Sequence, residues 1–375
     1  MFGISNRAGR RREWRGVLLD LSSLAAMITL PVALAGLLLL EGCGHPANLP
    51  PAAASTPAPV GPALTRLQRS ASVMGTAIEL EVLAGDRATA LRASEAALRA
   101  LEATEARLST WRADTELAAL NTATPGRPHP ISDALREDLG LALECSEITR
   151  GAFDPTVGPL VEAWDLRGEG RRPTEDQLDL ALGKVGAGHL RLTEEGALKY
   201  APLTLDEGAF GKGRGLDLAL EAAREAGARG ATLDLGGQLS RLPASGERDR
   251  WIPLAHPRDR QRIVAEVRLG AGSLATSGNG ERGIEVEGER VGHLLDPRTG
   301  RPAEDFGSLS VLAPTAAEAD CLSTGLYVLG PEAALRYAAI TPGVEVFVVD
   351  TSAVGTPRIW SSDDALLRPL PASLE

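Results

Sequence analysis

Cysteine and lysine are the scarce residues of this chain. Three Cys in 375 residues are too few for a disulfide scaffold or for a multi-cysteine zinc or iron–sulfur cluster. Lys184, Lys199 and Lys212 are the only lysines. Basic charge is therefore written almost wholly as Arg, in an Arg- and Ala-rich composition that reflects coding bias rather than chemistry. A basic excess is also missing: 39 Lys+Arg stand against 50 Asp+Glu, a formal charge of −11. Nucleic acid is thus not an expected partner. With 43% apolar and 24% charged residues, 41 Gly and 25 Pro, the composition is globular and excludes disorder or fibre for most of the length. The length allows one large domain or two of usual size.

The amino terminus reads as an address. Arg7, Arg10, Arg11, Arg12 and Arg15 form a positive region, and an apolar run from Leu21 to Leu40 follows. Small residues lead into Cys43 at its end, as in a bacterial lipoprotein signal, where the Cys is lipidated and becomes the first residue. Charge followed by an apolar stretch predicts export. The alternative is an uncleaved anchor, since about twenty residues can span a bilayer. Removing residues 1–42 deletes five Arg and three acids, which leaves the remainder more acidic still. Residues 43–64 then carry Pro46, Pro50, Pro51, Pro57, Pro59 and Pro62 among small residues. That composition predicts an extended tether between membrane and body. The expected place of the body, residues 65–375, is the periplasmic side, membrane-anchored through Cys43.

The body mixes helix and strand patterns. Ala77–Val82 alternates as a strand does. Asp86–Leu108 has helical spacing, with Leu91, Leu98, Leu101 and Leu108 on one stripe. Ile131–Thr149 is a second helix with Ser132 as N-cap, and Gly215–Ala226 a third, stopped by Gly227. Ala231–Leu235 reads as a short buried strand ending in Gly236-Gly237. Ile263–Leu269 and Val344–Val349 are further strands. Thr315 and Glu318 form a capping-box pattern that opens a helix running to Leu329. Adjacent strand pairs and irregular alternation predict an α+β fold, a single large domain of mixed or antiparallel sheets with packed helices.

Several short motifs carry candidate chemistry. Asp320 and Thr324 are four apart in the last of these helices, so a carboxylate and a hydroxyl share one face. Both are hard oxygen donors suited to Mg²⁺, which takes few protein ligands beside substrate phosphate. A local hydrogen bond on a helix surface is the plainer alternative. Leu205–Gly215 is glycine-rich, contains Lys212 and precedes a helix, as an anion site would; it matches neither a Walker A loop nor a dinucleotide fingerprint. His293, in the strand end and turn His293–Gly300, is a candidate base or phosphate donor, or a structural histidine. Thr276-Ser277-Gly278 and Met74-Gly75-Thr76 are small polar loops, and Asp154 begins an Asp-Pro turn. An oxidising compartment permits a bridge between Cys145 and Cys321. The apolar helix around Cys145 instead favours two separate buried thiols.

Taken in order, Met74–Thr76, Leu108–Trp111 with Leu117–Asn121, Gly151–Leu160, Asp206–Gly213, Leu235–Gly237, Thr276–Gly278, His293–Gly300 and Asp320–Thr324 resemble the ApbE-type FAD:protein FMN transferases. The resemblance spans about residues 66–350 and also suits a lipoprotein signal. It implies that FAD is the substrate and that a Thr or Ser hydroxyl of an acceptor protein attacks its FMN-side phosphorus, releasing AMP. By position it implies Mg²⁺ held by Asp320, Thr324 and the main-chain carbonyl of Ala209. It places Lys212 and His293 at the diphosphate, with His293 as candidate general base. Met74, Trp111 and Asp154 would line the flavin or adenine, and Thr276 and Ser277 the phosphate side. The implied acceptor is a membrane redox subunit. Gly280, Gln238 and Asp234 stand where the family more often has an aromatic, Asn or Asp, and Asn respectively. Attack by water in place of the acceptor would make an FAD pyrophosphatase, and loss of chemistry an FAD-binding lipoprotein.

Overall fold

The computed structural model describes residues 63–280, 283–286, 288–353 and 355–370. The signal segment, Cys43 and the tether up to residue 62 lie outside the described residues. Among the described residues no helix is long and apolar enough to cross a membrane.

Eight strands form the main sheet: β1 (Thr65–Val73), β2 (Thr76–Ala84), β3 (Gly230–Leu235), β4 (Gln238–Leu242), β5 (Gly272–Gly278), β6 (Gly307–Ala313), β7 (Glu345–Asp350) and β8 (Arg358–Ser361). They lie side by side in chain order, and every pair is antiparallel. The expected α+β class is what the chain adopts: a meander whose connections have been expanded into helices and smaller sheets. Two of the turns are as tight as hairpins allow. Met74 (φ 53°) and Gly75 (φ 71°) join β1 to β2, and Gly236 (φ 59°) and Gly237 (φ 91°) join β3 to β4. Two-residue turns with both φ positive match strand twist. The two turns are neighbours: a Cβ on Gly236 would fall 2.7 Å from the Thr76 hydroxyl.

Four helices matter for the site: α1 (Arg87–Leu108), α2 (Asp133–Ile148), α3 (Gly211–Glu225) and α4 (Ala316–Leu329). Asp86 caps α1 by accepting from Thr89 N, and Ser132 caps α2 by accepting from Leu135 N. The buried stripe of α1 is Ala90, Ala93, Ala97, Leu101 and Leu108. It runs one residue away from Leu91, which is exposed. The alanines decide this, because α1 packs against Leu216, Ala219 and Ala223 of α3, and small facing residues let two helices approach. On β5–β7, alternate residues face opposite ways. Ala275, Leu309, Val311, Val346 and Val348 meet α2 and α4. Leu274 and Phe347 meet Leu254, Ala265 and Val267, which belong to the hairpin Arg250–His256 and Asp259–Leu269. The sheet thus has helices on one face and a small sheet on part of the other.

The third helix begins earlier than its spacing suggests. The glycine run is its first turn, from Gly211, not a loop ahead of Gly215. Glycine costs helix stability, and packing explains the choice. A Cβ on Gly213 would lie 2.2 Å from the Ala316 carbonyl oxygen, and one on Gly215 3.1 Å from Met74 Sδ. Glycine at 213 lets the starts of α3 and α4 touch through their backbones.

Candidate active site

Beside that contact lies the deep wall of a cavity of about 920 Å³, where Lys212 and buried Asp320 line it. Asp217 of α3 accepts from Ala316 N at 2.7 Å and Ala317 N at 2.9 Å, and so caps α4 from outside. The Thr315 hydroxyl accepts from Glu318 N at 3.2 Å. Burial raises the carboxyl pKa of both Asp217 and Glu318 above the usual carboxylate range. One turn along α4, Asp320 faces back to α3. Its Oδ2 accepts from Gly213 N at 2.9 Å, and its Oδ1 is 3.2 Å from Lys212 Nζ. Buried Asp320, half-exposed Lys212 and a bare backbone amide form one charged cluster, which a side chain at 213 would prevent.

Thr324 follows at the spacing expected of a shared helix face, and both it and Asp320 line the cavity. Ser277 Oγ lies 2.8 Å from Ser323 Oγ and 3.3 Å from Thr324 Oγ1, tying the end of β5 to α4. Thr276 pairs across the sheet with Ser310, hydroxyl to hydroxyl at 2.8 Å. Ala209, Lys212, Thr276, Ser277 and His293 also line the cavity, with Asp154 and Trp111. Nine positions expected near substrate or metal therefore surround one space.

Three expectations need qualification. Met74 is not among the cavity-lining residues; it forms the β1–β2 turn and packs with the α1–α3 cluster. Asp154 lines the cavity, but its carboxylate is engaged internally. Oδ1 accepts from Thr156 N (2.8 Å) and Thr156 Oγ1 (2.6 Å), and Oδ2 from Ala187 N (2.8 Å). Its side chain braces the wall. Trp111 is not a core residue: it is 71% exposed, with the Arg167 guanidinium 4.7 Å from its ring centroid.

The expectation of two separate thiols is corrected. Cys145 of α2 and Cys321 of α4 form a disulfide, with Cα atoms 6.4 Å apart. Both sulfurs are buried as the apolar pattern required. Helix packing brings two residues 176 positions apart within bridging distance, as the neighbours of Cys145 alone could not reveal. The bridge lies one residue from Asp320.

Other cavity residues were given no role by the sequence. Arg167, Asp206, Glu207, Gln238, His256 and Arg260 all line it. Burial and nearby Arg262 lower the His256 pKa, which favours its neutral imidazole. Gln238 donates to the Ala316 carbonyl at 2.8 Å, while its Oε1 is buried without a hydrogen-bond partner. Gly280 also acquires a reason. A Cβ there would sit 1.9 Å from the Pro257 carbonyl oxygen, so no aromatic fits.

The donors suit a hard divalent cation. Among the described residues no cluster of three or more His, Cys, Asp or Glu is arranged for a metal. One carboxylate, one hydroxyl and one carbonyl suit Mg²⁺ only if substrate phosphate and water complete its shell. The carboxylate oxygens have lone pairs beyond those used by Lys212 and Gly213.

Sequence and structure are both similar to those of known proteins. The ApbE family profile matches residues 74–348. The FAD:protein FMN transferase of Klebsiella pneumoniae (strain 342) is 33% identical over 86% of this chain and 92% of its own. That of Escherichia coli (strain K12) is 32% identical over 70% and 77%. The Pseudomonas stutzeri flavinyl transferase ApbE, in its apo form, superposes with a TM-score of 0.71 at 27% identity, covering 81% of this chain and 97% of that one. The ApbE protein of Thermotoga maritima gives 0.72 at 25% identity, over 80% and 98%. On sequence, fold and the placement of its motif residues around one cavity, this chain belongs to the ApbE family.

Proposed function

We propose that this chain is an FAD:protein FMN transferase that moves FMN from FAD to a Thr or Ser hydroxyl of a target protein and releases AMP. The observation that carries this reading is the convergence of Asp320, Thr324, Lys212, Thr276, Ser277 and His293 on one cavity, in a chain of this family. In the transfer, the acceptor hydroxyl oxygen forms a bond to the FMN-side phosphorus. The bond from that phosphorus to the bridging oxygen breaks, and AMP leaves with that oxygen. His293 at the cavity wall takes the hydroxyl proton. Lys212 supplies a fixed positive charge beside the diphosphate, and the Thr276–Ser277 hydroxyls orient phosphate oxygens. Asp320, Thr324 and the Ala209 carbonyl would hold Mg²⁺, which neutralises charge on the diphosphate as it is displaced.

The same reading places the reaction outside the cytoplasm, with the chain anchored through Cys43 and a membrane redox subunit as acceptor. The Arg-rich start and apolar run support export. The Cys145–Cys321 bridge supports it independently, because such bonds persist in oxidising compartments.

The test is incubation with FAD, Mg²⁺ and a protein carrying a Thr-containing acceptor motif, followed by mass spectrometry of the acceptor. An FMN-sized gain that disappears with Asp320→Ala is expected. Unmodified acceptor with free FMN and AMP would make the chain a pyrophosphatase. Intact bound FAD throughout would make it a carrier.

A further inference from the structure

At the cavity mouth, five side chains outside the transfer chemistry form one connected set. Trp111 is 71% exposed, and an exposed indole ordinarily samples several rotamers. Here the residue before it is pinned at every polar group. Thr110 N donates to Glu207 Oε1 at 3.1 Å, and the Thr110 hydroxyl donates to the other oxygen of the same carboxylate. The Thr110 carbonyl accepts from Arg167 at 3.3 Å, and its hydroxyl oxygen accepts from Arg167 at 2.6 Å. Arg167 also donates to Asp206 Oδ2 at 2.5 Å and lies over the indole. These bonds join segments 97 and 57 positions apart.

Glu207 is a half-buried carboxylate, and both of its oxygens are spent on Thr110. Desolvating a carboxylate is unfavourable unless its bonds repay it. The Glu207 backbone carbonyl accepts from Phe210 N and Gly211 N, so this residue also closes the first turn of α3. The loop that presents Arg167 turns at Asp165, a non-glycine residue with φ 52°. What all of this holds still is a ring at the mouth of a cavity. A fixed aromatic face recognises a planar π-system, and the guanidinium on the indole adds a cation–π contact that favours one orientation.

We propose that Glu207 and Arg167, acting through Thr110, are positioning residues that hold Trp111 in the orientation that receives a planar ring of FAD. The proposal rests on the FAD reading of the cavity. Its first test is made without ligand, on the full chain labelled with 5-fluorotryptophan. The Trp111 resonance is assigned by its loss in Trp111→Phe. Wild type is expected to give a dispersed Trp111 line that moves to the solvent-exposed, averaged position in Thr110→Val. An averaged line already present in wild type, or one unchanged in Thr110→Val, overturns the proposal whatever the ligand.

The second test measures FAD binding by flavin fluorescence, with transfer turnover at saturating FAD. Thr110→Val is expected to weaken FAD binding about tenfold, the loss of one ring-stacking contact. Turnover at saturation stays within about twofold. Trp111→Ala weakens binding at least as much, and adding Thr110→Val to it changes nothing further. Equal weakening by Thr110→Val in both backgrounds shows action elsewhere and overturns the proposal. A wild-type chain that does not bind FAD removes the ring-receiving role together with the functional reading, while the fluorine spectrum still decides whether Trp111 is held.

Discussion

At the deep wall of the cavity, Asp320 is held by a backbone amide on a neighbouring helix, and glycine at 213 brings that amide within 2.9 Å. At the mouth, Trp111 is held through its neighbour Thr110, whose amide, carbonyl and hydroxyl bond the exchangeable side chains of Glu207 and Arg167, and by Arg167 itself over the indole. The wall is buried, stapled by Cys145–Cys321 and capped by Asp217. The mouth is exposed and carries no covalent link among the described residues. Groups that meet charge developing on phosphorus are best fixed in advance. A ring contact at an entrance has to admit and release a bulky nucleotide and a protein acceptor. Substitutions at the wall are therefore expected to cost stability and turnover together, and those at the mouth to cost binding.

The largest expected break comes from the staple. Replacing both Cys145 and Cys321 by Ser frees a link 176 positions long and should lower unfolding stability by about 4 kcal/mol. Urea denaturation with and without a dithiol reductant reads this, and the reductant should shift wild type and leave the variant unmoved. Next is Gly213→Ala, whose Cβ meets the Ala316 carbonyl oxygen at 2.2 Å. Parting the two helix starts should cost about 3 kcal/mol. It also draws the amide away from Asp320, so transfer should fall further than melting temperature alone explains. A variant that melts low but turns over normally would show that the helix contact does not position Asp320. Asp217→Ala removes the acceptor for two amides at the start of α4 and should cost about 2 kcal/mol, read by calorimetry.

The smallest effect lies at the mouth and depends on pH. The Glu207 pKa is raised by burial first and by Asp206 second. Its neutral form is thus favoured more in the folded than in the unfolded chain, and that stabilising contribution is present at low pH and lost as pH rises through the folded value. Glu207→Gln is accordingly expected to be up to about 1 kcal/mol more stable than wild type at neutral pH, a difference that vanishes in acid. FAD binding should change in the opposite sense. Protonating Glu207 removes an acceptor from the Thr110 hydroxyl, so wild-type affinity falls on acidification, while Glu207→Gln is weaker at neutral pH and flatter with pH. Titration of FAD affinity in both proteins checks this, and parallel profiles would detach Glu207 from binding.

The wall was more legible in the sequence than the mouth, for the same reason that separates them structurally. Asp320 and Thr324 are related by helix geometry, which four residues of sequence specify. Lys212 lay in a glycine-rich stretch ahead of a helix, a composition that suits an anion site. The caps Ser132 and Thr315, and the helical spacing from Asp86, marked three helix starts to within a residue. Glu207 sat inside that same glycine-rich run without suggesting a role, because its partner Thr110 is 97 residues away. Arg167 was one Arg among many. Leu91 misled because a helical stripe of leucines and a neighbouring stripe of alanines are both periodic, and only the facing alanines of α3 select the second.

Short-range geometry and composition control the α+β class, the caps of α2 and α4, the ordered motifs and the face shared by Asp320 and Thr324. Tertiary structure decided what depends on which distant surfaces meet: the start of α3 at Gly211, the Cys145–Cys321 bridge, the lodging of Met74 between helices and the pinning of Trp111. Local patterns are set by rotation per residue and by the hydrogen bonds of one turn. Pairings across scores of residues are set by packing complementarity, which no local spacing encodes.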